Sequence, residues 1–152
     1  MKTRIVLCVT ICLCLAGVLS ADTRWTGAVD NLWSNPANWT NGVPNADQKA
    51  QFVTTGVPEC TVDSAGAEAK QIAVGDNSGG SLKIVAGDLT VIDWSIIGYA
   101  EANTGDQAGR LEVTGGVLNC QARLYIGFMG EGHMIVDDDG VVNVYNQIVG
   151  IG

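Results

Sequence analysis

The sequence predicts an all-β fold: a right-handed parallel β-helix of about 23 residues per coil, closed at its N-terminal end by a tryptophan-rich cap. Three observations carry this expectation. Short apolar runs end in glycine at recurring intervals: Ile72-Ala73-Val74-Gly75, Ile96-Ile97-Gly98, Tyr125-Ile126-Gly127 and Ile148-Val149-Gly150, the glycines being 23, 29 and 23 residues apart. Between them, runs such as Leu111-Glu112-Val113 and Leu118-Asn119-Cys120 alternate apolar and polar residues, the period of a strand and not of a helix. Finally, Gly makes up 20 of the 152 residues while charged residues are only 16%, a composition unlike a helical bundle. A β-sandwich also uses short strands and glycine turns, but gives no reason for glycines to recur in register.

Residues 1–21 read as a cleavable export signal. Lys2 and Arg4 form a positive start, and the apolar run Ile5 to Leu19 is shorter than the ~20 residues a membrane-spanning helix needs. Ser20 and Ala21 are small enough to precede the cut. None of Cys8, Cys12 or Cys14 follows a small residue, which excludes a lipid-anchored leader. Without the leader, six bases face sixteen acids, a net charge of −10 that gives nucleic acid little electrostatic footing. The expected location is outside the cell or on its surface, with no membrane contact for the mature domain.

Residues 22–55 hold Trp25, Trp33 and Trp39 and are expected to cap the first coil. Residues 56–152 hold the repeats. Besides the glycine-ended run, each copy has a second run (Leu82-Lys83-Ile84, Leu111-Glu112-Val113, Met134-Ile135-Val136) and a third after a glycine turn (Gly87 to Val91, Gly116 to Cys120, Gly140 to Val144). The middle copy carries six extra residues, placed in Glu101–Gly109, whose composition is that of a protruding loop. Strands this short are stable only when coils stack and like apolar positions form ladders around one core. The final Gln147 to Gly152 stops just after opening a new coil, which predicts an N-terminal fragment of a longer chain that continues the solenoid.

Cys120 falls at an inward position equivalent to Val91, and Cys60 is expected about one coil before Val91. Two coils at ~4.8 Å each exceed the reach of a disulfide, so both thiols are predicted to be free and buried.

The segment Trp25-Thr26-Gly27, Trp33, Asn38-Trp39, Gly42, Pro44, Asp47 and Phe52 resembles the W-x-G…W…NW-x-x-G-x-P-x-x-D…F opening of large exported proteins of Planctomycetes and Verrucomicrobia. Those proteins often end in PEP-CTERM sorting signals or dockerin modules. Leu111-Glu112-Val113-Thr114-Gly115-Gly116-Val117-Leu118-Asn119-Cys120 and Leu124-Tyr125-Ile126-Gly127 resemble the autotransporter/PEP-CTERM-associated repeat, L-x-V-x-G-G-x-L-x-V…L-x-I-G. The resemblance implies an exported or surface-displayed β-helix without a known catalytic residue set.

Candidate chemistry is sparse. Trp25, Trp33 and Trp39 are candidates for stacking on sugar rings, with an extracellular polysaccharide or the cell-surface matrix as partner; the competing reading makes them the cap. Asp137-Asp138-Asp139-Gly140 has the residues of a cation site but equally those of a turn, and the turn is preferred. His133 is the single histidine, which leaves a histidine metal cluster or a histidine-containing triad without further members. Arg110 and Arg123 are read as exposed strand-edge charges and not as lyase bases. Asn38-Trp39-Thr40 is a glycosylation sequon. No catalytic, metal-binding or cofactor residues are assigned. The expected function is a non-catalytic structural or display β-helix; the alternatives are a carbohydrate-binding module, or the start of a polysaccharide lyase or hydrolase with its active site beyond Gly152.

Overall fold

A computed structural model of the chain describes residues 21–53, 56–76, 78–99 and 108–150. Its strands form three parallel sheets. The first contains β1 (Thr23–Arg24), β2 (Lys49–Phe52), β5 (Gln71–Val74), β8 (Ser95–Ile97), β11 (Arg123–Ile126) and β14 (Gln147–Gly150), in that spatial order. The second stacks β3 (Cys60–Val62), β6 (Gly80–Ile84), β9 (Gly109–Val113) and β12 (Gly132–Val136). The third stacks β4 (Ala67–Ala69), β7 (Asp88–Val91), β10 (Val117–Cys120) and β13 (Val141–Val144). Successive coils are thus β2-β3-β4, β5-β6-β7, β8-β9-β10 and β11-β12-β13, and β14 opens the next. This is a parallel β-solenoid of about five turns with about 24 residues in each.

Period-2 alternation explains the core. In the first sheet Ala50, Ile72, Ser95, Leu124 and Ile148 form one inward column, and Phe52, Val74, Ile97 and Ile126 another. Leu82, Leu111 and Met134 stack in the second sheet, and Leu89, Leu118 and Val142 in the third. Leu82, Leu89, Leu111, Leu118 and Leu124 are all fully buried, each contributing about 1.5–3 kcal/mol by leaving water.

Glycine makes the corners possible. Gly75, Gly98 and Gly127 follow register-matched strands and share φ values of 77°, 77° and 71°. Gly150 differs from the expected pattern: it pairs with Ile126, one position short of Gly127. The extra residue in the Asp137–Gly140 turn advances β13 and β14 together, and nothing in between takes the offset back. The six-residue insertion falls mainly in residues 100–107, outside the described residues; β9 resumes the second sheet at Gly109.

The N-terminal end is closed. Trp39 stands edge-on to both Trp25 and Trp33, with ring centroids 5.1 and 4.9 Å away, and Phe52 lies 5.7 Å below it. The asparagine of the Asn-Trp pair organises the approach. Asn38, fully buried, accepts from the Val29 and Asp30 amides and donates to Asp30 Oδ1 and the Leu32 carbonyl. Its amide is saturated, so the sequon offers no free acceptor nitrogen in the folded chain. The Leu32 amide, with the side chains of Asn35 and Asn38, holds the Asp30 carboxyl below its ordinary pKa. The cap segment also supplies a rung of the solenoid, because β2 pairs in register with β5. At the opposite end the inward residues of the last strands are uncovered: Val136 is 50% and Ile148 60% exposed.

Cys60 and Cys120 are free and buried, as expected, but Cys60 is not in the column of Cys120. It pairs with Leu82 in the second sheet, and Ala69 is the residue one coil before Val91. Burial, reinforced by Glu59, pushes the Cys60 thiol well up; burial also raises Cys120, opposed by its hydrogen bond with Ser95 at 3.4 Å. A raised folded-state pKa stabilises the fold fully below the unfolded value of ~8.5, and this contribution is lost as pH rises toward the folded value. The wild-type chain is therefore expected to lose stability between pH 8 and 9.5, on the order of those reference values, relative to a Cys60→Ala, Cys120→Val variant. Urea midpoints measured at both pH values read this out. In the chain starting at Asp22, both thiols react with a maleimide only after denaturation.

Candidate functional site

Three of the four tryptophans are in the cap; the fourth, Trp94, is on the outside. It directly precedes the inward Ser95 and thus faces away from the core, in line with Gln71 and Arg123 of the neighbouring coils. The next outward column of the first sheet is Gln51, Ala73, Ile96, Tyr125 and Val149. Ala73 and Ile96 are only 0% and 4% exposed although they point away from the core, so a second layer covers them.

That layer is aromatic. Lys49 on β2 reaches past β5, placing its ammonium 5.8 Å from the ring centroids of both Trp94 and Tyr99. Asp76 anchors the ammonium at 2.9 Å and also accepts from Gln51. Phe128 stacks on Tyr99 at 6.2 Å with planes 15° apart and meets Tyr125 edge-on at 5.1 Å. Tyr99 and Phe128 occupy the same repeat position, the residue after Gly98 and Gly127. Trp94, Tyr99, Tyr125 and Phe128 all remain partly exposed.

At the corner between the third and first sheets this layer borders a hollow of about 250 Å³. Trp94 and Tyr125 supply ring surface, and Asp93, Arg123 and Asn146 supply polar groups. The groups are pre-positioned: Asp93 accepts from Gln71 Nε2 at 2.7 Å, and Arg123 donates to the Tyr125 hydroxyl at 3.3 Å. Across the corner, Thr90, Asn119, Gln121 and Tyr145 line a shallower hollow of about 490 Å³. There Asn143 donates to Asn119 at 2.9 Å, one coil to the next.

The residues singled out from sequence are placed as follows. Trp25, Trp33 and Trp39 are 4%, 3% and 5% exposed, so their ring faces belong to the core and present no platform to a sugar. The indoles of Trp25 and Trp39 donate to the carbonyls of Pro58 and Trp33, while Trp33 Nε1 is buried without a partner among the described residues. Asp137–Gly140 forms a turn between β12 and β13, closed by a Gly140 N–H to Asp137 carbonyl bond of 2.9 Å, with Asp138 at φ 49°. Among the described residues no three His, Cys, Asp or Glu side chains converge on a point where a metal ion could sit. His133 contacts Glu131 at 2.9 Å on the surface. Arg110 and Arg123 are exposed, but β9 and β11 are interior strands, so neither residue guards a sheet edge. Arg110 pairs with Glu112, which also binds Lys83 at 3.0 Å; hydrogen bonds from Lys83 and then Arg110 hold the Glu112 carboxyl below its ordinary pKa.

The stacked strands define the chain as a parallel β-solenoid. No protein-family model, curated protein or solved structure matches it.

Proposed function

We propose that this chain is a non-catalytic, exported structural scaffold that displays its outer faces at the cell surface or in the surrounding matrix. The observation that carries this reading is the coil-to-coil register: the same inward column is filled in coil after coil, with a tryptophan cap at one end. Ionisable side chains are used within and between coils as pairs, such as Lys49 with Asp76 and Lys83 with Glu112. Such an arrangement makes a stiff rod with regularly repeated surfaces. Export is supported by the leader pattern of residues 1–21 and by the docked chain that follows. The Ala21 carbonyl accepts from Gln48, Asp22 accepts from Asn41, and β1 begins at Thr23, so a cut after Ser20 keeps all of these contacts and a cut after Ala21 loses only the bond from Gln48.

In the source organism, immunolabelling of intact cells combined with N-terminal sequencing tests the proposal. The expected result is label outside the cell, on a chain beginning at Ala21 or Asp22. Retention in the cytoplasm with Met1 to Ala21 still attached contradicts it.

A further inference from the structure

We infer that the hollow beside Trp94 and Tyr125 is a binding site for a neutral glycan. This goes beyond the scaffold reading and uses residues that the cap and the core do not need. Sugar rings present apolar C–H faces and a rim of hydroxyl groups. They are held by aromatic surface together with fixed side chains that both donate and accept hydrogen bonds.

The hollow has both parts. Both rings are partly exposed: Tyr125 lies on β11 and Trp94 immediately precedes the neighbouring strand β8, so the pairing of these two strands fixes where the rings sit. Asp93 is fixed by Gln71, Arg123 by Tyr125, and Asn146 adds an exposed amide. Preordered partners lower the entropy that binding would otherwise cost. The charges of Asp93 and Arg123 offset each other, and the chain as a whole carries −8. An anionic polysaccharide therefore meets net repulsion, whereas a neutral one meets none. Across the corner, the Thr90, Asn119, Gln121 and Tyr145 hollow extends the polar surface, so a polymer fits better than a monosaccharide.

The tryptophans provide an internal reporter. Trp25, Trp33 and Trp39 are buried, so acrylamide quenching of the native protein reads Trp94. The chain from Ala21 is run in native gels containing soluble neutral polysaccharides (hydroxyethylcellulose, xyloglucan, galactomannan) or acidic ones (alginate, polygalacturonate). The expected result is retardation by at least one neutral polymer and protection of Trp94 from acrylamide by the same polymer. Trp94→Ala and Tyr125→Ala each weaken retardation about tenfold or more, while Val29→Ala, at an exposed site in the cap segment, leaves it unchanged. The protection measurement needs only the wild-type chain, so a variant that fails to fold does not remove the test. No retardation by any neutral polymer, retardation by acidic polymers alone, or undiminished retardation of both folded aromatic variants overturns the assignment. None of these outcomes bears on where the protein is located.

Discussion

Trp39→Ala is expected to lower stability by about 3–5 kcal/mol, the range for truncating a buried tryptophan. Trp39 is 5% exposed and sits between Trp25 and Trp33 above Phe52. Its loss opens the end of the core where no further coil shields the Ala50 and Phe52 columns. It also strips the Trp33 carbonyl of its 2.8 Å partner, leaving a buried acceptor unpaired. For a domain of this size the melting temperature should fall by on the order of 10–20 °C. Trp94→Ala provides the contrast. Trp94 is partly exposed on the outer face, and its removal should cost about 1 kcal/mol, mostly its contact with Lys49. Urea midpoints at unchanged slope separate the two. Equal losses would mean that the cap tryptophans do not close the core.

Gly98→Ala is the second large effect. Gly98 has φ 77°, so any side chain there costs about 1–2 kcal/mol in backbone strain. A Cβ would in addition sit 2.5 Å from the Glu131 carbonyl oxygen and 2.7 Å from the Gly132 nitrogen, backbone atoms that have no rotamer to move aside. The following coil must therefore shift, and β12 and β9 lose register. Gly66 has the same kind of backbone, φ 85°, but no atom within 4 Å of its would-be Cβ. Gly66→Ala should cost the strain alone. The excess in Gly98→Ala, expected at about 2 kcal/mol or more, measures how closely the coils approach each other. Comparable losses in the two variants would argue against that close contact.

These positions also show what could be read from sequence. The coils were legible because strand alternation and glycine corners recur together, and neither signal depends on distant contacts. Register was harder to read. Gly150 looks like the partner of Gly127, because a glycine after two apolar residues is the pattern's most visible feature. The extra residue at Asp137–Gly140 shifts the true partner by one, and Gly150 has neither the positive φ nor the crowded Cβ of Gly98. Cys60 was misplaced for a related reason. The third run of the first coil, Ala67-Glu68-Ala69, follows Gly66 but lacks the large apolar residues of later copies, and the spacing from Cys60 to Leu82 is the better guide.

The candidate site was the least legible part. The three clustered tryptophans attract attention, but clustering in sequence brought them together to fill a coil end. Trp94 and Tyr125 are 31 positions apart and become neighbours only through strand pairing. Their outward direction was nevertheless encoded. Tyr125 alternates with the inward Leu124 and Ile126, and Tyr99 and Phe128 follow equivalent glycines. Reading Tyr125-Ile126 as one apolar run concealed the fact that the two side chains face opposite sides.

Parallel stacking itself is tested most directly by backbone nuclear Overhauser contacts in the chain from Ala21. The account predicts cross-strand contacts linking Leu82 to Leu111 to Met134, and Leu89 to Leu118 to Val142, all in parallel register. Strong Hα–Hα contacts of the close pairs in antiparallel ladders, between any two consecutive strands of the repeats, would contradict it.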